Sequence, residues 1–543
     1  MITPLRAALT LAAIVLGCHA PLPLTDYVTY DDTYMLNWAT RGDRDSLRTM
    51  YTEVGGQIGY AYFSLFAGLG GLVTGFKVAA LAFTFAAGWF AWRVGVASGM
   101  VSPREALLVA AVVVAFPAFK VRGGFAYSVY DWAPAVFLLA ALLALRAEQH
   151  TGWASAWRRG LAVLLFAVSF QMPSLLMFYG GFYLLLVRVH QRAAGRRWFH
   201  VPWRFCAARP DYLLLPFAYH VGVRVLFPAT GVYATYNQIA VSGKAIAAVY
   251  KGLPRFVTDP FELFATYPPA VQLVCAAIAV GVWLVARRVV RVPSESGGRP
   301  AALLAFGGLL LVFGTFPYAA VGKPMEPWGR YSSYAPLLPL SFGVLLLGVV
   351  KLLSAVGRLL APVLAAVGVC WAAAWWHDYL TMQGLEARNR GLVRHLRADP
   401  ATRDCAVYFV RNLYPIPRTT DDLFGWQWCY VEAGVAGVPR SYAYNGIPSN
   451  AAVPDWYVAK SLEETTIGYS LGGIDPRGKQ AIVLVRPATR VGAARLGWRY
   501  LRVKWTRPAD LPAFTEQVVR IETFAFPWDA PDVTRRAEAT DPE

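Results

Sequence analysis

Charged residues are scarce in this chain. Asp, Glu, Lys and Arg make up 15% of its 543 residues, where a soluble domain carries roughly 25%. Hydrophobic residues make up 56%. That balance argues against an ordinary soluble globule and for a polytopic membrane protein. Paired metal-binding cysteines are missing as well. Cys18, Cys206, Cys275, Cys370, Cys405 and Cys429 are widely spread and form no CxxC, which argues against a zinc ribbon. Cys405 and Cys429 both fall in the C-terminal part, where they could pair if that part is extracytoplasmic. There is no P-loop, no HExxH zinc-protease helix and no GxSxG nucleophile elbow. Gly68-Leu69-Gly70-Gly71 lacks dinucleotide-fingerprint spacing and reads as close helix packing. The net charge is +18, yet no zinc-finger, basic-zipper or RNA-binding signature accompanies it. The arginines cluster between hydrophobic segments, as in cytoplasmic loops, so nucleic acid is not the expected partner.

What is present is a series of apolar segments. A crossing helix needs about 20 mainly apolar residues. The sequence predicts such segments at 5–22, 76–93, 106–119, 128–145, 161–187, 211–228, 269–286, 301–318, 335–350 and 359–376. Val15-Leu16-Gly17-Cys18 loosely resembles a lipoprotein cleavage box, but the many segments that follow make 5–22 an uncleaved first helix. Basic loops set the orientation: Arg6 places the N-terminus in the cytoplasm, with Arg93, Arg104, Arg146, Arg158 and Arg159 on the same side. As a single crossing, 161–187 would carry six arginines between Arg188 and Arg209 outside. A tight hairpin at Gln171-Met172-Pro173 returns them to the cytoplasm, and Pro173 suits the break. The apolar stretch 58–75 is expected to be an interfacial or re-entrant helix, because a crossing there would invert every later loop. This predicts about 11 transmembrane helices in a cell (inner) membrane. A long outer loop covers 229–268, and the C-terminus is extracytoplasmic.

Composition shifts near 377. Residues 380–398 have the spacing of an amphipathic helix, with Leu385, Leu392 and Leu396 against Arg388, Arg390 and Arg394. Short apolar runs at 405–410, 481–485, 499–505 and 517–526, bounded by Pro and Gly, read as strands. The polar tail 530–543 reads as disordered.

Ionisable groups that border apolar segments are functional candidates. Tyr30-Asp31-Asp32-Thr33-Tyr34 follows the first segment, and either Asp31 or Asp32 is a candidate general base. Acids that merely cap the next helix are the plain alternative. Arg41 shares that outer loop, Lys120, Arg122 and Asp131 flank the second, and Lys323, Glu326, Arg330 and Tyr331 precede residue 335. Lys and Arg are disfavoured in short outer loops, so their presence suggests an anionic partner such as a phosphate group. Snorkelling to headgroups is the competing account. Asp131 is a plausible second acid, or simply an acid at a helix N-terminus. His220 reads as a buried structural histidine. Trp371, Trp375 and Trp376 read as an interfacial belt.

A first helix followed by an outer Asp-Asp loop, an amphipathic connection and a C-terminal extracytoplasmic domain resembles the GT-C superfamily of polyprenyl-phosphate-dependent glycosyltransferases. Gly329-Arg330-Tyr331-Ser332-Ser333-Tyr334-Ala335-Pro336-Leu337-Leu338-Pro339 is similar to the Arg-Tyr…Pro…Pro stretch that opens a late helix in many of them. Ser169-Phe170-Gln171 resembles a turn of the bacterial O-antigen glucosyltransferase branch. The family usually follows its acids with other residues than Thr33-Tyr34, so the base stays open between Asp31 and Asp32.

The resemblance implies an inverting transfer from a polyprenyl-phosphate sugar donor to a glycan, lipid or protein acceptor. Asp31 or Asp32 would take the acceptor proton. Arg330, Lys120, Arg122 or Arg41 would hold the donor phosphate, and Asp131, Tyr331 and Lys323 would line the substrate site. Some members hold a divalent cation, Mg²⁺ or Mn²⁺, and others do not; adjacent carboxylates leave that open.

The expected fold is therefore a mainly α polytopic membrane domain over 1–376, GT-C-like, with a small extracytoplasmic α/β domain over 377–529 and a tail over 530–543. The competing function is a transporter or flippase of a lipid-linked or polyanionic substrate. That should show broken helices in paired halves, whereas here the charges gather at one face and no repeat is visible. A non-catalytic scaffold is the third reading.

Overall fold

The computed structural model describes residues 2–28, 32–54, 57–68, 71–193, 201–230, 239, 241–289, 299–327, 329–353, 357–412, 431–432, 441–445, 478–488 and 491–525. Asp31, Cys429, the tail 530–543 and the side chains of Arg41 and Arg330 lie outside the described residues. The described chain is mainly helical, with one small sheet near its C-terminus.

Local chemistry starts several helices. Thr3 caps α1 (Pro4–His19), with Pro4 in the first turn. α2 (Asp32–Arg41) opens on an acid, as the helix dipole favours, and α3 (Arg44–Val54) follows. α4 (Gln57–Gly68) is a separate 12-residue helix, too short to cross a bilayer. Gly71, at φ 60°, divides it from α5 (Leu72–Ser98). A capping box of Ser102 and Glu105 starts α6 (Pro103–Ala115). α7 (Ser128–Ala147), α8 (Trp153–Ser169) and α9 (Ser174–Ala193) come next. The break between α8 and α9 falls at the expected Gln171–Pro173 turn.

Beyond it lie α10 (Val201–Ala208), α11 (Pro210–Leu226), α12 (Gly243–Gly252), α13 (Arg255–Ala265) and α14 (Pro269–Val289). α15 (Pro300–Ala320), a 3-10 helix (Gly329–Tyr334) and α16 (Leu338–Leu352) complete the apolar part. α17 (Gly357–Ala398) runs 42 residues, joining the expected last crossing and the expected amphipathic helix into one element.

By length and composition, α5, α7 and α15 are long and apolar enough to cross a membrane, and α1, α16 and Pro269–Leu284 are shorter apolar helices. These mark a membrane protein. Large apolar side chains point outward from α11 and α14: Phe217 is 66% exposed and Leu273 71%. Inside the bundle, small residues let helices approach. A Cβ on Gly88 would overlap Val114, and one on Gly343 would lie 3.0 Å from the Val109 carbonyl oxygen.

Polar groups collect at the two ends of the bundle. One end pairs Glu105 with Lys351 at 2.7 Å, Glu148 with Arg209 at 2.7 Å and Arg159 with Asp211 at 3.2 Å. The other end carries the residues of the next subsection.

The C-terminal sheet has order β2-β1-β3-β4, with β1 (Val407–Asn412), β2 (Tyr442–Asn445), β3 (Gln480–Pro487) and β4 (Val519–Ala525). β1 pairs parallel with β2 and β3, and β3 pairs antiparallel with β4. Ile482, Val483 and Leu484 are buried, as a central strand covered on both faces requires. α18 (Ala493–Thr506) and α19 (Leu511–Glu516) pack this unit against α17.

The expected strand at 499–505 is therefore a helix. Leu496, Gly497, Tyr500 and Leu501 are buried at helical spacing, and that contact with α17 overrides the short apolar run. Two further expectations are corrected. His220 is exposed on α11. Trp371 and Trp375 are core residues rather than a belt, the latter donating Nε1–H to the Ala115 carbonyl at 2.9 Å.

Candidate functional site

The loop between α6 and α7 organises the polar end. It holds Gly123, at φ 78°, and Gly124. Two carboxylates grip its backbone from opposite elements. Asp131, in the first turn of α7, accepts from Gly123 N–H at 3.0 Å through Oδ2. Asp32, the first residue of α2, accepts from Ala126 N–H at 2.7 Å through Oδ1. A Cβ on Gly124 would lie 2.7 Å from the other Asp32 oxygen, so only glycine admits the acid this close. Both carboxylates are buried.

Arg122 comes off the same loop and is buried. Its Nη1 pairs with Asp131 Oδ1 at 3.4 Å and donates to the Thr84 hydroxyl. The guanidinium lies 5.4 Å from the Phe119 ring centroid and 5.5 Å from that of Trp375, where the two π faces favour a cation. Its Nε has no hydrogen-bond partner. Lys120 pairs with Asp378 of α17 at 2.7 Å, and its backbone N–H donates to Ser332 Oγ at 3.1 Å. That bond ties the loop to the 3-10 helix Gly329–Tyr334.

Tyr331 is half-buried there, 6.4 Å from the Tyr334 ring. Lys323 reaches over Tyr334, its Nζ 5.3 Å from the centroid. Burial lowers the Lys323 pKa to about 8.

No family model and no curated protein sequence matches this chain. Asp32, Lys120, Arg122 and Asp131 all meet on one loop, and Tyr331 and Lys323 join it through the 3-10 helix. The acids already serve protein donors: Asp131 meets Arg122 and Gly123, and Asp32 meets Ala126. Among the described residues no group of three or more His, Cys, Asp or Glu side chains could hold a metal ion.

Several residues of this end escaped the sequence reading. Asp378 looks like the end of an apolar run until α17 is seen to continue past it. His19 is buried: its Nε2 lies 2.9 Å from the Val114 carbonyl, which can only accept, so that nitrogen carries the proton. Its Nδ1 then accepts from the Tyr379 hydroxyl at 2.7 Å. Lys77, buried in α5, donates to Thr25 O at 3.1 Å and Tyr27 O at 2.9 Å. A lone lysine in so apolar a helix was a visible signal.

Asp26 links the first loop to the C-terminal unit. It accepts from the Tyr500 hydroxyl at 3.0 Å and pairs with Lys504 at 3.3 Å and Arg390 at 3.9 Å. Burial would raise its pKa, but Arg390, Lys504 and the Gln383 and Tyr500 hydrogen bonds together hold it below the ordinary aspartate value.

Proposed function

We propose that this chain is a multi-pass membrane glycosyltransferase of the GT-C type. It moves a sugar from a polyprenyl-phosphate donor to an acceptor hydroxyl on the extracytoplasmic side. About 11 helices cross the membrane in this reading, the N-terminus is cytoplasmic, and the loop carrying Lys120 and Arg122 lies outside with the C-terminal unit. The observation that carries the reading is the meeting of Asp32, Lys120, Arg122 and Asp131 on a single glycine loop at one end of the bundle. A carboxylate beside cations is what transfer from a lipid phosphate requires.

The chemistry follows from those roles. A carboxylate of the Asp31–Asp32 pair takes the proton of the acceptor hydroxyl. The freed oxygen attacks the anomeric carbon from the face opposite the phosphate, and the bond from that carbon to the phosphate oxygen breaks. The electron pair stays on the phosphate, whose charge is met by Lys323 and Arg330. Lys120 and Arg122, each tied to an acid, set the floor of the site. No separate general acid is needed, because the phosphate leaves as an anion.

The test is transfer measured in membranes with Asp31→Asn, Asp32→Asn and the double variant. The single variant that removes the base, and the double variant, are expected to lose transfer by about 10²-fold or more, with insertion and expression unchanged. Full activity in the double variant removes the base from the reading.

A further inference from the structure

Two cavities in the bundle share walls. The first has a volume of about 50 Å³ and lies at the polar end, bounded by Thr84, Arg122, Tyr130 and Asp131. The second is about 90 Å³ and is lined almost wholly by apolar side chains, among them Val94, Phe182, Leu303 and Val344. Phe137, Leu138, Phe178 and Leu340 border both. The second reaches Ser98 and Met100, at the far end of α5. From Thr84 to Ser98 the helix rises about 21 Å at 1.5 Å per residue. The two hollows lie next to one another among α5, α6, α7, α9, α15 and α16, the first with polar groups in its wall and the second almost wholly apolar; a shift of the side chains between them would make one path.

We propose that this path holds a single-chain lipid with an uncharged hydroxyl head. The chain is dictated by the apolar wall: at about 10–15 Å³ per water-sized group, the larger hollow has room for roughly six to nine groups. It offers water almost nothing to bond. The head is dictated by the mouth. Arg122 lines this end and its Nε–H is buried without a partner, so an acceptor atom is wanted beside it. The positive charge of Arg122 is already met by Asp131. A phosphate head would add uncompensated charge in a low-dielectric setting, whereas a hydroxyl accepts from Nε–H and donates to a spare lone pair of Asp131. This inference shares Arg122 and Asp131 with the floor of the proposed transfer site but not the donor phosphate, which that reading gives to Lys323 and Arg330.

The experiment uses the full chain in phosphatidylcholine vesicles. Two probes carry a diazirine at the end of the tail: one built on dodecanol, the other on dodecyl phosphate. After irradiation, labelled residues are located by peptide mass spectrometry. The alcohol probe is expected to label Val94, Phe182 or Leu303, and the phosphate probe to label them several-fold less. Val344→Phe, which fills the path, should cut alcohol labelling there by about tenfold, while Phe217→Ala on the outer face should not. Labels confined to outward residues such as Phe217 and Leu273 overturn the proposal. Equal labelling of the path by the phosphate probe overturns the uncharged head. If Val344→Phe does not fold, the label map of the unaltered protein decides alone, and none of these readings requires transfer activity.

Discussion

Lys323 shows how burial sets a working pH at the level of one side chain. It sits between α15 and α16 over the Tyr334 ring, and burial disfavours its charged form. A lysine with a pKa near 8 is mostly protonated at pH 7 and mostly neutral by pH 9. If it meets the donor phosphate, donor KM is expected to rise as pH passes upward through about 8. In Lys323→Arg that rise should vanish, because arginine stays charged. A pH profile of KM with both proteins checks this; an unchanged profile moves the phosphate elsewhere. Asp32 and Asp131 were legible in the sequence as acids out of place. That both hold the backbone of a single loop was not, because their partners are N–H groups of Gly123 and Ala126, which no side-chain pattern announces.

Glycine decides the join between α17 and α18. A Cβ on Gly384 would overlap the Ala493 carbonyl, and one on Gly497 the Leu380 carbonyl. In an open helix, Gly→Ala gains about 1 kcal/mol. Here the sign reverses, since the added methyl must push two helix backbones apart. Gly497→Ala is expected to destabilise the C-terminal unit by about 1–3 kcal/mol, read as faster release of fragments beyond residue 400 in limited proteolysis. Wild-type resistance in that variant would show that the helices can part at no cost. The stretch 499–505 misled the sequence reading for a related reason. Its apolar residues fit a short strand as well as a helix, and the partner that settles the matter lies more than a hundred residues earlier. The α8–α9 break, by contrast, was readable, because proline and a surplus of arginine act locally.

Across the whole molecule, one end gathers Asp32, Lys120, Arg122 and Asp131, and Asp26 fastens the C-terminal unit to that same end. The transfer reading therefore requires that unit to be extracytoplasmic. A reporter fused after residue 400 is expected to signal from outside the cell membrane, and a cytoplasmic signal would place the proposed site on the wrong side. By itself the sequence determined the membrane character, the position of most helices and the identity of the suspicious ionisable residues. Those follow from local composition, since an apolar run or a lone charge is visible wherever it falls. Only the tertiary structure decided that Lys120 meets Asp378, that Arg122 lies between Phe119, Trp375 and Asp131, and that two hollows share walls beside it. Each of these needs helices far apart in the chain to pack side by side, and packing is a property of surfaces that no single segment carries.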